Sequence, residues 1–96
     1  MTVTTLLELT IKPESLADAE AIITETLVAT RAFAGNQGVT VAADVADPLH
    51  YVLVQTWDSL EADDAYRAWR ATPEGASKLG SVTSGRVLTR YRNTTA

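Results

Sequence analysis

The sequence predicts a single α+β domain with the element order βαββαβ, and three observations carry that expectation. Apolar residues alternate with a period near two in four stretches, they recur at helical spacing in two others, and turn-forming residues mark the joints between them. A chain of 96 residues holds one hydrophobic core and little else. The domain is expected to cover residues 1–92, with 93–96 as a disordered tail.

In "VTTLLELTI" the residues Val3, Leu7, Leu9 and Ile11 share one face, which gives the first strand. Pro13 suits the first turn of a helix, and Ser15 with Asp18 three residues later forms a plausible capping pair. From there Leu16, Ala19, Ile23, Leu27 and Thr30 keep the 3.6-residue spacing of a buried stripe up to about Arg31. "FAGNQG" has the composition of a reversal, and "VTVAADV" resumes alternation with Val39, Val41 and Val45 on one side. After Asp47 and Pro48, "YVLVQTW" is the β-branched and aromatic third strand, paired with the second as an antiparallel hairpin. Asp58 followed by Glu61 caps a second helix over Ser59–Arg70, with Ala62, Ala65, Tyr66 and Trp69 on its inner face. Pro73 ends that helix, "TPEGASKLGS" is a loop with one short helical turn, and "GRVLTRYR" is the last strand.

Two βα units around a hairpin give the ferredoxin-like arrangement, a four-stranded antiparallel sheet with both helices on one face. The opposite sheet face is assigned Leu6, Ala42, Val52, Val54 and Leu88, too apolar to stand in water, so a second copy of the chain is expected to cover it. The C-terminal strand near Arg86 to Tyr91 is expected to contribute to that homodimer contact.

Composition narrows the function classes. A net charge of −4, with Arg86, Arg90 and Arg92 read as scattered surface charges, argues against a nucleic-acid partner. No apolar run approaches the ~20 residues that cross a bilayer, and the N-terminus reads as a strand rather than a signal peptide. No membrane partner and a cytoplasmic location are the default expectations. The absence of cysteine removes disulfide and thiolate chemistry, and a single histidine without a ligand cluster gives no metal site.

Residues 30–66, "TRAFAGNQGVTVAADVADPLHYVLVQTWDSLEADDAY", resemble the central segment of the antibiotic biosynthesis monooxygenase (ABM) family of dimeric α+β barrel proteins. The shared features are an Arg and a Gly before the second strand, an Asp-Pro in the hairpin, and a Trp ending the third strand before an acidic, Ser-containing helix start. The resemblance implies a Trp57 that points into a cavity between sheet and helices. It also implies an activity drawn from a range that runs from cofactor-free oxygenases of phenolic or quinone substrates to haem-degrading enzymes. Where many relatives carry His in the second helix this chain has Tyr66, and "ELTIK" offers Glu8 and Thr10 in place of their Asn. The haem-degrading reading thereby loses its iron ligand. Leu53 stands where some oxygenases use Asn, four residues before the Trp.

A cofactor-free oxygenase needs a water-poor cavity and donors that stabilise a substrate phenolate or enolate. Trp57 and Tyr66 are the candidate catalytic residues, through the indole N–H and the phenol hydroxyl, and are expected to face a common cavity. Trp57, Tyr66, Trp69 and Arg31 are the candidate substrate contacts. Each has a structural alternative: Trp57 and Trp69 as core, Arg31 as a complement to a helix C-terminus. His50 is the one ready neutral-pH base, but its place beside Asp47 and Pro48 puts it on the surface. Tyr51 and Tyr91 read as packing or interface, and the acids Asp58, Glu61, Asp63 and Asp64 as helix-start charges without a catalytic role. Two functions remain. One is a cofactor-independent monooxygenase of an aromatic, polyketide-like or quinone-type small molecule. The other is a non-catalytic small-molecule-binding or stress-associated protein of the same fold.

Overall fold

The computed structural model describes all 96 residues. Strand β1 (Val3–Ile11) leads through a 3-10 turn (Pro13–Ser15) into helix α1 (Leu16–Ala32). Strands β2 (Asn36–Ala43) and β3 (His50–Trp57) form the hairpin, followed by α2 (Leu60–Arg70), the short α3 (Leu79–Val82) and β4 (Thr83–Arg92). The sheet order is β2-β3-β1-β4 and every pairing is antiparallel. This is the ferredoxin-like α+β fold that the periodicities predict, with α3 as an added turn before the last strand.

Register decides which residues meet the helices. Val41, Leu53, Leu7 and Leu88 lie side by side across the four strands and share the helix face, because directly paired residues project to the same side of a sheet. Leu88 therefore does not belong to the open face, as its expected grouping had it. Val87 takes that place beside Glu8, Val52 and Ala42. The open face also carries Leu6, Val54 and Tyr91, and Val87 and Tyr91 are exposed. On the helix side, Leu9, Ile11, Tyr51 and Leu53 of the sheet pack against Ala19, Ile23 and Leu27 of α1 and Leu79 of α3. Each large aliphatic side chain buried there contributes about 1.5–3 kcal/mol.

The helix starts differ from those read in the sequence. Ser15 makes no capping hydrogen bond, since its backbone (φ −103°, ψ 0°) is held within the 3-10 turn rather than extended. At α2 the cap is Ser59, extended at φ −156° and ψ 163°, whose Oγ accepts from the Ala62 N–H at 3.1 Å. Asp58 stands one residue outside and accepts instead from the Gln37 side chain at 2.7 Å. Strand β2 stops at Ala43, because the Asp44 and Asp47 carboxylates accept from the backbone N–H groups of Ala46 and Leu49 and close turns there, leaving Val45 exposed. Gly35 (φ +91°) makes the turn from α1 into β2, where an added Cβ would lie 2.5 Å from that of Ala62. Asn93 extends the order past β4, donating its N–H to the Thr2 carbonyl at 2.9 Å and accepting from the Thr4 hydroxyl at 2.6 Å.

Candidate functional site

A cavity of about 510 Å³ lies between the sheet and the helices and is the largest in the molecule. Leu7, Leu53, Gln55, Arg86 and Leu88 line it from the sheet, and Thr26, Leu27 and Thr30 from α1. Tyr66, Arg67 and Arg70 line it from α2, and Ala76, Ser77, Leu79 and Gly80 from the segment that follows. Apolar walls with a few convergent polar groups are the usual make-up of a small-molecule site. Gly75 lets this segment pass close to α2, since a Cβ there would fall 1.9 Å from the Trp69 carbonyl oxygen.

Two polar networks give the α2 wall its shape. Tyr66, buried at 3% exposure, has its hydroxyl oxygen 2.6 Å from Thr30 Oγ1 and 2.7 Å from the donating Arg70 Nε. Thr30 donates to the Thr26 carbonyl, so its oxygen is the acceptor and Tyr66 the donor in their mutual bond. Arg70 also donates to the carbonyls of Gly75 (3.1 Å) and Thr26 (2.8 Å) and to Thr30 Oγ1 (3.1 Å). All four of its partners are neutral. Arg67 instead pairs with Asp63 through Nε at 3.0 Å and donates to Gln55 Oε1 at 2.6 Å. Asp63 is fully buried, and its second oxygen accepts from Arg90 at 3.2 Å and Thr5 at 3.3 Å. Arg90 further binds Asp64 at 2.5 Å, and its two carboxylate partners, Asp64 first, hold its pKa above the ordinary value.

Of the residues expected at the site, Tyr66 is the one that lines the cavity. The Trp57 ring lies 5.0 Å from that of Tyr66, but Trp57 has no exposed surface and no part in the cavity wall. The two do not face a common space: Trp57 pairs with Val3 at the end of the sheet, and Tyr66 stands between it and the cavity. Its indole N–H is buried without a partner. Phe33 completes the aromatic cluster, 5.3 Å from Tyr66, 5.6 Å from Trp69 and 6.3 Å edge-on to Trp57. Trp69 is half-buried beneath the Arg70 guanidinium, 4.9 Å away, and lies outside the cavity. Arg31 is exposed in the last turn of α1, outside the cavity wall, and donates to the Val39 carbonyl at 3.1 Å.

Gln55, Arg67 and Arg70 line the cavity without having been expected there, and Arg86, read from the sequence as a scattered surface charge, lines it too, while Asp63, read as a helix-start charge without a catalytic role, braces Arg67 from behind. The spacing Asp63, Tyr66, Arg67, Arg70 is itself a helical stripe, but charged positions count as outward in a hydrophobic pattern. Arg86 and Arg90 are exposed, as the sequence reading expects, but they lie on the helix side of the sheet, because they pair with Leu9 and Thr5 on the inner face of β1. His50 lies on the opposite sheet face between Asp44 and Glu8, each 3.1 Å from a ring nitrogen. Its hydrogen bond to Asp44, supported by Glu8, raises its pKa above the ordinary 6.5. It has no access to the cavity on the helix side.

A ferredoxin-like sheet with a walled cavity under its helices defines a small α+β pocket protein. The chain belongs to the ABM family: the profile described as antibiotic biosynthesis monooxygenase matches residues 2–75. Among solved structures, a Deinococcus radiodurans protein named for the same family is similar with a TM-score of 0.81 and 21% identity, over 98% of this chain and 94% of its own. SnoaB, a cofactor-independent oxygenase from Streptomyces nogalater solved in mutant form, gives 0.81 and 17% over 99% and 95%. A conserved protein of Methanosarcina mazei gives 0.82 and 13% over 98% and 94%. At these identities the likeness establishes the fold. Comparison with curated protein sequences finds no match. No helix is long and apolar enough to cross a membrane.

Proposed function

We propose that the protein is a cofactor-independent monooxygenase of an aromatic, polyketide-like or quinone-type small molecule, bound in the cavity beside Tyr66. The observation that carries this reading is the pairing of apolar walls with guanidinium donors on α2. A guanidinium has five N–H donors; Arg70 uses four and Arg67 two in the bonds given above, which leaves one and three. These can receive the oxygen anion of a phenolate or enolate. The substrate anion gives one electron to dioxygen, and the resulting radical and superoxide combine into a C–O bond as a peroxide. Protonation and loss of water then leave a carbonyl, so that a substrate methylene and one dioxygen become a carbonyl and one water. The protein's part is to exclude water and to stabilise the anion with donors already in place. Tyr66 acts by holding Arg70 in position, with Trp57 packed behind it.

One observation favours the second reading, binding without turnover: no histidine or carboxylate lines the cavity to serve as a base. Oxygen-electrode traces with a panel of hydroxyaromatic compounds separate the two. Uptake above the protein-free rate, with one quinone or ketone formed per oxygen, is expected. A panel that binds but consumes no oxygen contradicts the oxygenase.

The open sheet face supports a homodimer, with Leu6, Val52, Val54, Val87 and Tyr91 in the contact. Sedimentation at micromolar concentration should give twice the chain mass of 10.3 kDa. A stable monomer contradicts it.

A further inference from the structure

The charge of the cavity runs opposite to that of the chain. The sequence has 12 acidic and 8 basic residues, yet three arginines and no carboxylate line this one space. Asp63, just behind the wall, neutralises Arg67 and shares itself with Arg90. Arg70 is surrounded by a phenol, a hydroxyl and two carbonyls, which take four of its five N–H donors and leave its charge uncompensated. The Arg86 side chain makes no hydrogen bond and no ion pair within the chain, and it lines the cavity from β4, two residues from Leu88. Arg86 is exposed, so its charge and its N–H donors stay available to a ligand that enters the cavity. Guanidiniums are also the groups best shaped for a two-pronged grip on an oxyanion.

We propose that the substrate carries a fixed anionic group, a carboxylate, in addition to its oxidisable ring, and that Arg86 receives it. This rests on the reading of the cavity as an aromatic-substrate site and names the class of substrate: an aromatic hydroxy acid. One anion forms at the reacting oxygen and is served by the α2 donors. The Arg86 charge is surplus to that need, stands on a different element, and lies free of internal partners. It orients the ring by pinning one end, and it selects against neutral phenols of the same size.

Calorimetric titration with hydroxynaphthoate and with naphthol, at neutral pH and low salt, tests this without any turnover. Hydroxynaphthoate is expected to bind roughly tenfold or more tightly than naphthol, as a charge-assisted hydrogen bond allows. Arg86→Gln is expected to abolish that preference, while Arg31→Gln, which removes the same charge outside the cavity, keeps it. Equal binding of both compounds overturns the inference and leaves the aromatic site standing, as does a preference that survives Arg86→Gln. If neither compound binds, the cavity is not an aromatic site, and the substrate assignment falls with it.

Discussion

Trp57→Ala is expected to cost about 3–5 kcal/mol of folding stability, the usual range for truncating a buried tryptophan. Trp57 has no solvent exposure and packs against Tyr66 and Phe33 at the end of the inner sheet face. Removing the indole opens a void that the strand pairing to Val3 and Asn36 keeps from collapsing. For a domain of this size each kcal/mol moves the midpoint by roughly 4–8 °C, so thermal or urea unfolding reads the change easily. Trp69→Ala should cost clearly less, since that ring is half-buried and stacked under Arg70. This reverses the order read from the sequence, in which Trp69 is the core residue and Trp57 the pocket residue. A Trp57→Ala loss below about 1 kcal/mol, or one smaller than that of Trp69→Ala, contradicts the assignment.

Asp63→Ala is the second large effect, at about 2–4 kcal/mol. Removing one partner of a buried ion pair costs up to 3–5 kcal/mol, and the arginines left behind are 24% and 36% exposed, so water recovers part of it. The loss reaches the site as well, because Arg67 holds its place between Asp63 and Gln55. Asp63→Asn keeps the shape and an acceptor for Thr5 while removing the charge, and should fall between wild type and Asp63→Ala. Urea unfolding of the three proteins gives the comparison. A change in Asp63→Ala below about 0.5 kcal/mol would mean that the carboxylate is not the hub of the Arg67–Arg90 network.

These two residues show what the sequence made legible. Alternation in "VTTLLELTI" and "YVLVQTW" and the stripe through Leu16, Ala19, Ile23 and Leu27 reflect burial against one continuous core, so strands, helices and topology follow from them. Register is less accessible. Leu88 changes face with a one-residue slip of β4, and only the pairing to Leu7 settles it. The site lay deepest, because its α2 wall is polar. Asp63, Arg67 and Arg70 have the appearance of a solvated helix face, and what turns them inward is the ion pair of Asp63 with Arg67 and, for Arg70, the neutral acceptors of α1 and Gly75. Tyr66 was legible as an amphipathic ring on a helix stripe. Trp57 was not, because a strand-end tryptophan suits a core and a cavity wall equally well.

Oxygen uptake by a variant with the cavity blocked tests most directly whether that space is where substrate reacts. Leu88 lines the cavity yet is 45% exposed, so Leu88→Trp can fill the space without displacing the buried core of Leu9, Ile23 and Leu27. With a hydroxyaromatic acid that the wild-type protein oxidises, Leu88→Trp should lose at least about tenfold in rate while unfolding within roughly 1 kcal/mol of wild type. An undiminished rate in a folded Leu88→Trp protein would place the chemistry elsewhere.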